Sequence, residues 1–93
     1  MIRNFRHKGL ERLFVASTTR GIPTEHRARI ERMLDRLDAA IRPGDMSIPG
    51  WRFHPLRGTE KGRWAVAVSG NPRLTFAFDG EDAINIDLED YHR

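Results

Sequence analysis

Ninety-three residues are enough for one compact domain, and a chain this short buries only roughly 60 to 65% of its unfolded surface, so 1–93 is expected to form a single domain. Sixteen Lys and Arg against thirteen Asp and Glu leave a formal charge of +3; all the basic residues except Lys8 and Lys61 are Arg, the cation suited to bidentate phosphate contacts and to stacking on bases. The lack of cysteine excludes disulfides and thiolate metal sites, and His7, His26, His54 and His92 show no metal-ligand spacing, so neither a metal nor another cofactor is expected; no apolar run reaches signal-peptide length or the roughly 20 residues of a membrane helix, which makes the cytoplasm the expected location.

Ile2 to Phe5 alternates apolar and polar side chains, as a short first strand would. From His7 to about Ala16, Leu10, Leu13 and Phe14 fall at helical spacing until Ser17-Thr18-Thr19-Arg20-Gly21 breaks the pattern. Pro23 and Thr24 open a second helix, with the Thr24 hydroxyl expected to cap it and Glu25 favourable in its first turn. Its apolar stripe is Ala28, Ile30, Met33, Leu34, Leu37 and Ile41; Arg27, Arg29, Glu31, Arg32, Asp35 and Arg36 fill the other faces, which read as solvated, and the helix must stop before Pro43-Gly44.

After a loop over 45–50, Trp51 to Leu56 alternates toward a strand that Pro55 confines to an edge or an end. A turn-rich stretch from Arg57 to Gly62 leads to a strand from Trp64 to Val68, with Trp64, Val66 and Val68 on one face. Ser69-Gly70-Asn71-Pro72 is a turn, and the following strand puts Leu74, Phe76 and Phe78 on one side, so the two strands form an antiparallel hairpin. A turn at Asp79-Gly80-Glu81-Asp82 precedes a last strand with Ile84, Ile86 and Leu88 on one face. The order strand, helix, helix, then an antiparallel strand meander implies an α+β fold with two helices packed on one face of a mostly antiparallel sheet, the other face being left for a ligand. Arg52, Arg57, Lys61, Arg63 and Arg73 precede a last strand region crowded with Asp79, Glu81, Asp82, Asp87, Glu89 and Asp90, so a basic surface should adjoin an acidic strand end.

Four segments of the second half carry a resemblance. His54-Pro55-Leu56-Arg57-Gly58, Gly62-Arg63-Trp64-Ala65-Val66-Ala67-Val68, Gly70-Asn71-Pro72-Arg73-Leu74-Thr75-Phe76 and Asp87-Leu88-Glu89-Asp90-Tyr91-His92 closely resemble, in order and spacing, the pattern of HigB-type toxins in the RelE/ParE superfamily. The first half resembles that family too, from Ile2 to Leu10 and through the second helix to Ala40. The resemblance implies a RelE-like fold and a type II toxin that enters the ribosomal decoding site on the small subunit and cuts mRNA. The mRNA 2′-hydroxyl would attack the adjacent phosphate, leaving a cyclic phosphate and a free 5′-hydroxyl. It also implies silencing by a HigA-type antitoxin bearing a helix-turn-helix domain, with oligomers formed through that antitoxin. Related ParE-type toxins share the fold and bind DNA gyrase without catalysis, which is the rival reading; a non-catalytic RNA-binding module is another. The chain departs from the family pattern at Arg57, where Lys is common, and at Pro72, where an aromatic residue is common.

Carried over by motif, the working residues are Arg57, Asn71, Arg73, Asp90, Tyr91 and His92. RNA transesterification needs a base for the 2′-hydroxyl, positive charge on the developing phosphorane and an acid for the leaving 5′-oxygen. His92 suits either proton transfer, because imidazole titrates at about 6.5; otherwise it is an exposed terminal histidine. Asp90 could orient His92 or accept a proton, or be ordinary solvated acidity. Arg73 should project opposite Leu74 and bind the scissile phosphate, or else pair with a nearby carboxylate. Arg57, fixed in its charge, fits an electrostatic role rather than that of an acid. Asn71 could contact RNA or serve the turn, Tyr91 could stack on a base or close the core, and Lys61 and Arg63 are expected to bind RNA as part of the basic surface. His54 and Trp64 read as structural.

Overall fold

A computed structural model describes residues 1–90. Two helices, α1 (Lys8–Ala16) and α2 (Arg27–Ala39), pack on one face of a four-stranded antiparallel sheet in the order β1 (His54–Pro55), β2 (Trp64–Ala67), β3 (Pro72–Asp79) and β4 (Asp82–Asp90). This is the α+β arrangement that the alternation of periods implies.

Helix α1 starts where the imidazole of His7 accepts a hydrogen bond from the Leu10 backbone N–H at 3.1 Å. It ends at Ser17, which takes a left-handed φ of 56°; its N–H donates to the Leu13 carbonyl, and the Thr18 N–H donates to the Arg12 carbonyl. Helix α2 begins later than the sequence suggests. Thr24–His26 forms a 3-10 turn, Thr24 makes no capping hydrogen bond, and regular helix starts at Arg27. With Thr24 already inside the turn, its hydroxyl does not stand where an extended capping residue would hold it. The stripe is correspondingly shorter. Ile30, Met33, Leu34 and Leu37 are buried, whereas Ala28 is exposed and Ile41, beyond the helix end, is 45% exposed.

Against that stripe the sheet sets Val66, Val68, Leu74, Phe76, Ala83 and Ile86, closing one core with Leu10, Leu13 and Met46. Two expectations about strands are corrected. The segment from Ile2 to Phe5 is not a regular strand; its backbone pairs with β4 as isolated parallel bridges, Ile2 to Ala83 and Phe5 to Ile86. The expected common face of Ile84, Ile86 and Leu88 is also broken. Asn85 adopts φ 54°, and the β3–β4 register shifts between Thr75 and Ala77, so Ala83, Ile86 and Leu88 turn inward while Ile84 pairs with Ala77 on the other face. The two departures have one cause: the Asn4 side-chain oxygen accepts from the Asn85 N–H at 2.6 Å, binding the first segment to the bulge instead of to a regular ladder.

Candidate functional site

Strand register fixes which side chains share the sheet face away from the helices. His54 pairs with Ala65, Ala65 with Thr75, Ala67 with Arg73, Thr75 with Asp87 and Arg73 with Glu89. Period-2 alternation puts all of them opposite the buried Val66, Leu74 and Phe76. One strand, β3, thus carries the core on its even positions and a polar row on its odd ones.

At the hairpin end of this face lies a shallow hollow of about 260 Å³, lined by Arg52, His54, Ala67, Asn71, Pro72 and Arg73 among others. His54 is exposed there, and its Nδ1 lies 2.8 Å from the Arg52 carbonyl oxygen. A carbonyl only accepts, so Nδ1 carries the proton and Nε2 keeps its lone pair in the neutral ring. Arg52 reaches this geometry with φ 54°, a left-handed conformation that a non-glycine residue adopts at a cost of about 1 to 3 kcal/mol. Helix α2 holds the loop in place: the Arg29 guanidinium donates to the Gly50 carbonyl at 2.9 Å and to the Ala67 carbonyl at 3.1 Å. The solvated face read for α2 therefore does not extend to Arg29, which is half-buried.

Arg73 enters the hollow from β3 while one of its Nη atoms donates to Glu89 Oε1 at 3.1 Å. Of the two readings that sequence left as alternatives for Arg73, the carboxylate pairing is observed, and it leaves the side chain lining the hollow. Glu89 Oε2 accepts from the Thr75 hydroxyl at 2.9 Å, and that hydroxyl accepts from an Nη atom of Arg63 at 2.8 Å. Arg63, expected at a basic RNA-contacting surface, is instead 6% exposed, because it precedes β2 on the same polar face and is covered there. Burial pushes its pKa down, as does the neighbouring Arg6 charge, while Glu89, Glu60 and Asp87 act in the opposite sense.

The other expected residues are spread over the molecule. Arg57 and Lys61 are exposed on the turn that precedes β2, at the opposite end of that strand from Ala67 and Arg73. Four strand residues span about 10 Å, and neither side chain lines the hollow. Asn71 lies at the hairpin tip and lines both this hollow and a second of about 590 Å³, which Asp90, at the end of β4, shares with His7, Glu25 and His26. Tyr91 and His92 lie outside the described residues. Trp64 is structural as expected, its ring stacked on Phe53 at 5.3 Å. Sequence reasoning read His54 as structural, where the fold sets it in the wall of the hollow, and it passed over Thr75 and Glu89. Of these, Thr75 was signalled by the same alternation that placed Arg73 opposite Leu74.

An oriented imidazole and a guanidinium in one hollow suit proton removal beside a phosphate. Comparison with known proteins agrees with a nucleic-acid chemistry. The chain is 39% identical over 92 residues, 99% of its length, to the endoribonuclease HigB of Proteus vulgaris, all of which is covered. A family model described as RelE-like toxin of type II toxin-antitoxin system HigB matches residues 3–92. The chain accordingly belongs to the HigB-like family of RelE-like toxins of type II toxin-antitoxin systems.

Proposed function

We propose that this toxin is an mRNA endoribonuclease, formed by 1–93 as one domain, that cuts mRNA in the decoding site of the small ribosomal subunit and so stops translation. The name of its Proteus vulgaris relative supports the nuclease activity, and a type II system supplies a protein antitoxin as partner. We assign that partner to the HigA type with a helix-turn-helix domain, and the cytoplasm as the place of action. No helix among the described residues is long and apolar enough to cross a membrane.

The observation that carries the reading is the pairing of His54 with Arg73 in one hollow. The Nε2 lone pair of His54 takes the proton of a ribose 2′-hydroxyl as the 2′-oxygen bonds to phosphorus. Arg73, with Arg52 also lining the hollow, stabilises the added negative charge on the phosphorane oxygens. The P–O5′ bond then breaks, and the 5′-oxygen receives a proton, leaving a cyclic phosphate on one fragment and a 5′-hydroxyl on the other. His92 is the acid in this scheme, with Asp90 orienting it, and Tyr91 stacks on a base. Asn71 binds RNA at the hairpin tip, and Arg57 and Lys61 contact phosphates farther along the strand.

The test is induction in bacteria with primer extension on a translated reporter, comparing the native chain with His54→Ala, Arg73→Ala and His92→Ala. Cuts inside translated codons that vanish in all three variants are the expected result. Growth arrest with intact mRNA would sink the nuclease reading and direct attention to gyrase.

A further inference from the structure

The buried polar chain beneath Arg73 has no part in the chemistry above. Thr75 is fully buried, so it cannot touch RNA, yet it stands between a buried cation and the carboxylate that holds Arg73. An arginine has no acceptor, so the Arg63 bond to Thr75 Oγ1 leaves the hydroxyl hydrogen only one productive direction, toward Glu89 Oε2. Glu89 is then gripped on both oxygens, one by Thr75 and one by Arg73.

Arg63 is an expensive way to brace a sheet. Its Nε is 3.5 Å from Glu60 Oε1, too poorly placed for a hydrogen bond, and one Nη atom has no hydrogen-bond partner among the described residues. A buried cation so incompletely satisfied is weak support for stability, and an apolar side chain of similar volume would serve the core as well or better. What it supplies is a fixed positive charge behind Thr75 and Glu89.

We propose that Thr75, backed by Arg63 and acting through Glu89, is a positioning residue that fixes the Arg73 guanidinium at the angle the transition state requires. The inference rests on the nuclease reading for its consequence in turnover, and on Arg73 geometry alone for its mechanism. An unbraced Glu89 would loosen one of the contacts that orient Arg73, and a misplacement of about 1 Å in such a group costs about 100-fold in rate. Ground-state capture of RNA draws on many phosphate contacts and would change little.

Thr75→Val keeps the shape and removes the hydroxyl; Thr75→Ser keeps the hydroxyl and removes a methyl. Two readouts are taken on the purified toxin: steady-state cleavage of translated mRNA on ribosomes, and the side-chain nitrogen–proton NMR signal of Arg73, identified by its loss in Arg73→Lys. Thr75→Val is expected to lower kcat about 10- to 100-fold with KM within about twofold of wild type, and to shift or broaden the Arg73 signal. Thr75→Ser is expected to restore both. An Arg73 signal in Thr75→Val that coincides with wild type overturns the proposal, as does an unchanged kcat, or a loss in Thr75→Ser as large as in Thr75→Val. If the wild type itself leaves mRNA intact, the nuclease reading falls, and the Arg73 signal alone decides the brace. Should Thr75→Val fail to fold, Glu89→Gln is measured in its place against the same two criteria.

Discussion

His54 and Arg73 reach one hollow by different local routes, and each route makes its own prediction. The imidazole is aimed by a main-chain carbonyl, Arg52, held at an unfavourable φ. Removing the ring in His54→Ala should therefore lower kcat by roughly 100- to 10,000-fold, the usual worth of a positioned base, without lowering the melting temperature, because His54 is exposed. A variant that cleaves at the native rate would remove His54 from the mechanism. Arg73→Lys keeps the charge but loses the planar fork, and should still lose about 100-fold in turnover. Neither the place of His54 in the hollow nor the pairing of Glu89 with Arg73 was legible in the chain. His54 stands before Pro55 at a strand end, a context that reads as structural, and only the fold of the 50–54 loop turns it toward Arg73. Glu89 was one of six acidic residues near the end of the sequence, and strand pairing alone selects it as the partner of Arg73. The Arg73 side itself was legible, because alternation with the apolar Leu74 and Phe76 needs no tertiary knowledge.

Among the elements, those with strong periodicity were read correctly and those governed by contacts distant in sequence were not. The hairpin of β2 and β3 and the stripe of Ile30, Met33, Leu34 and Leu37 follow from period alone. The bulge in β4 does not, since Ala83 to Leu88 alternates without interruption and the break is imposed by Asn4, 81 residues away from Asn85. Arg29 is the same kind of case. A charged residue at a helical spacing proper to the surface turns out to staple α2 to the Gly50 and Ala67 carbonyls. Arg29→Met should lower stability by about 1 kcal/mol, the cost of losing the partner of the part-buried Ala67 carbonyl, whereas the exposed Gly50 carbonyl turns to water. It should also loosen the 50–54 loop, so kcat falls even well below the melting temperature. Denaturant unfolding checks the first effect and cleavage the second; intact turnover would show that the loop keeps His54 in place unaided.

Across the whole molecule, the sheet divides its faces between the core and the polar row that bears Arg73, which leaves the closing of the chain to the far edge of β4. There the N-terminal segment is fastened by charge. Arg3 donates to Asp79 at 2.7 Å and to Asp82 at 2.8 Å, and the N-terminal amine lies 3.7 Å from Asp82. The hydrogen bond from Arg3 holds the Asp82 carboxyl below its ordinary value, outweighing the opposing effect of burial. A carboxyl depressed in the folded state favours folding at every pH above its unfolded value of about 3.9, where both states are ionised but only one has the partner. That contribution is lost as pH falls through the lower folded value, where both states are protonated. Arg3, itself raised by the same contacts, stays charged throughout this window and adds nothing to the slope. Asp82→Asn should accordingly melt below the wild type at about pH 7, the gap should narrow as pH drops below about 4, and it should close once the carboxyl is protonated in both states. Raising the salt concentration at neutral pH should also narrow it, because these groups are solvent-exposed and screened. Melting curves followed by circular dichroism across that range check the sign. A gap that persists at the acid end would mean Asp82 acts through packing or hydrogen bonding that survives protonation, and the N-terminal segment would then be held by its Ile2 and Phe5 bridges to β4 rather than by charge.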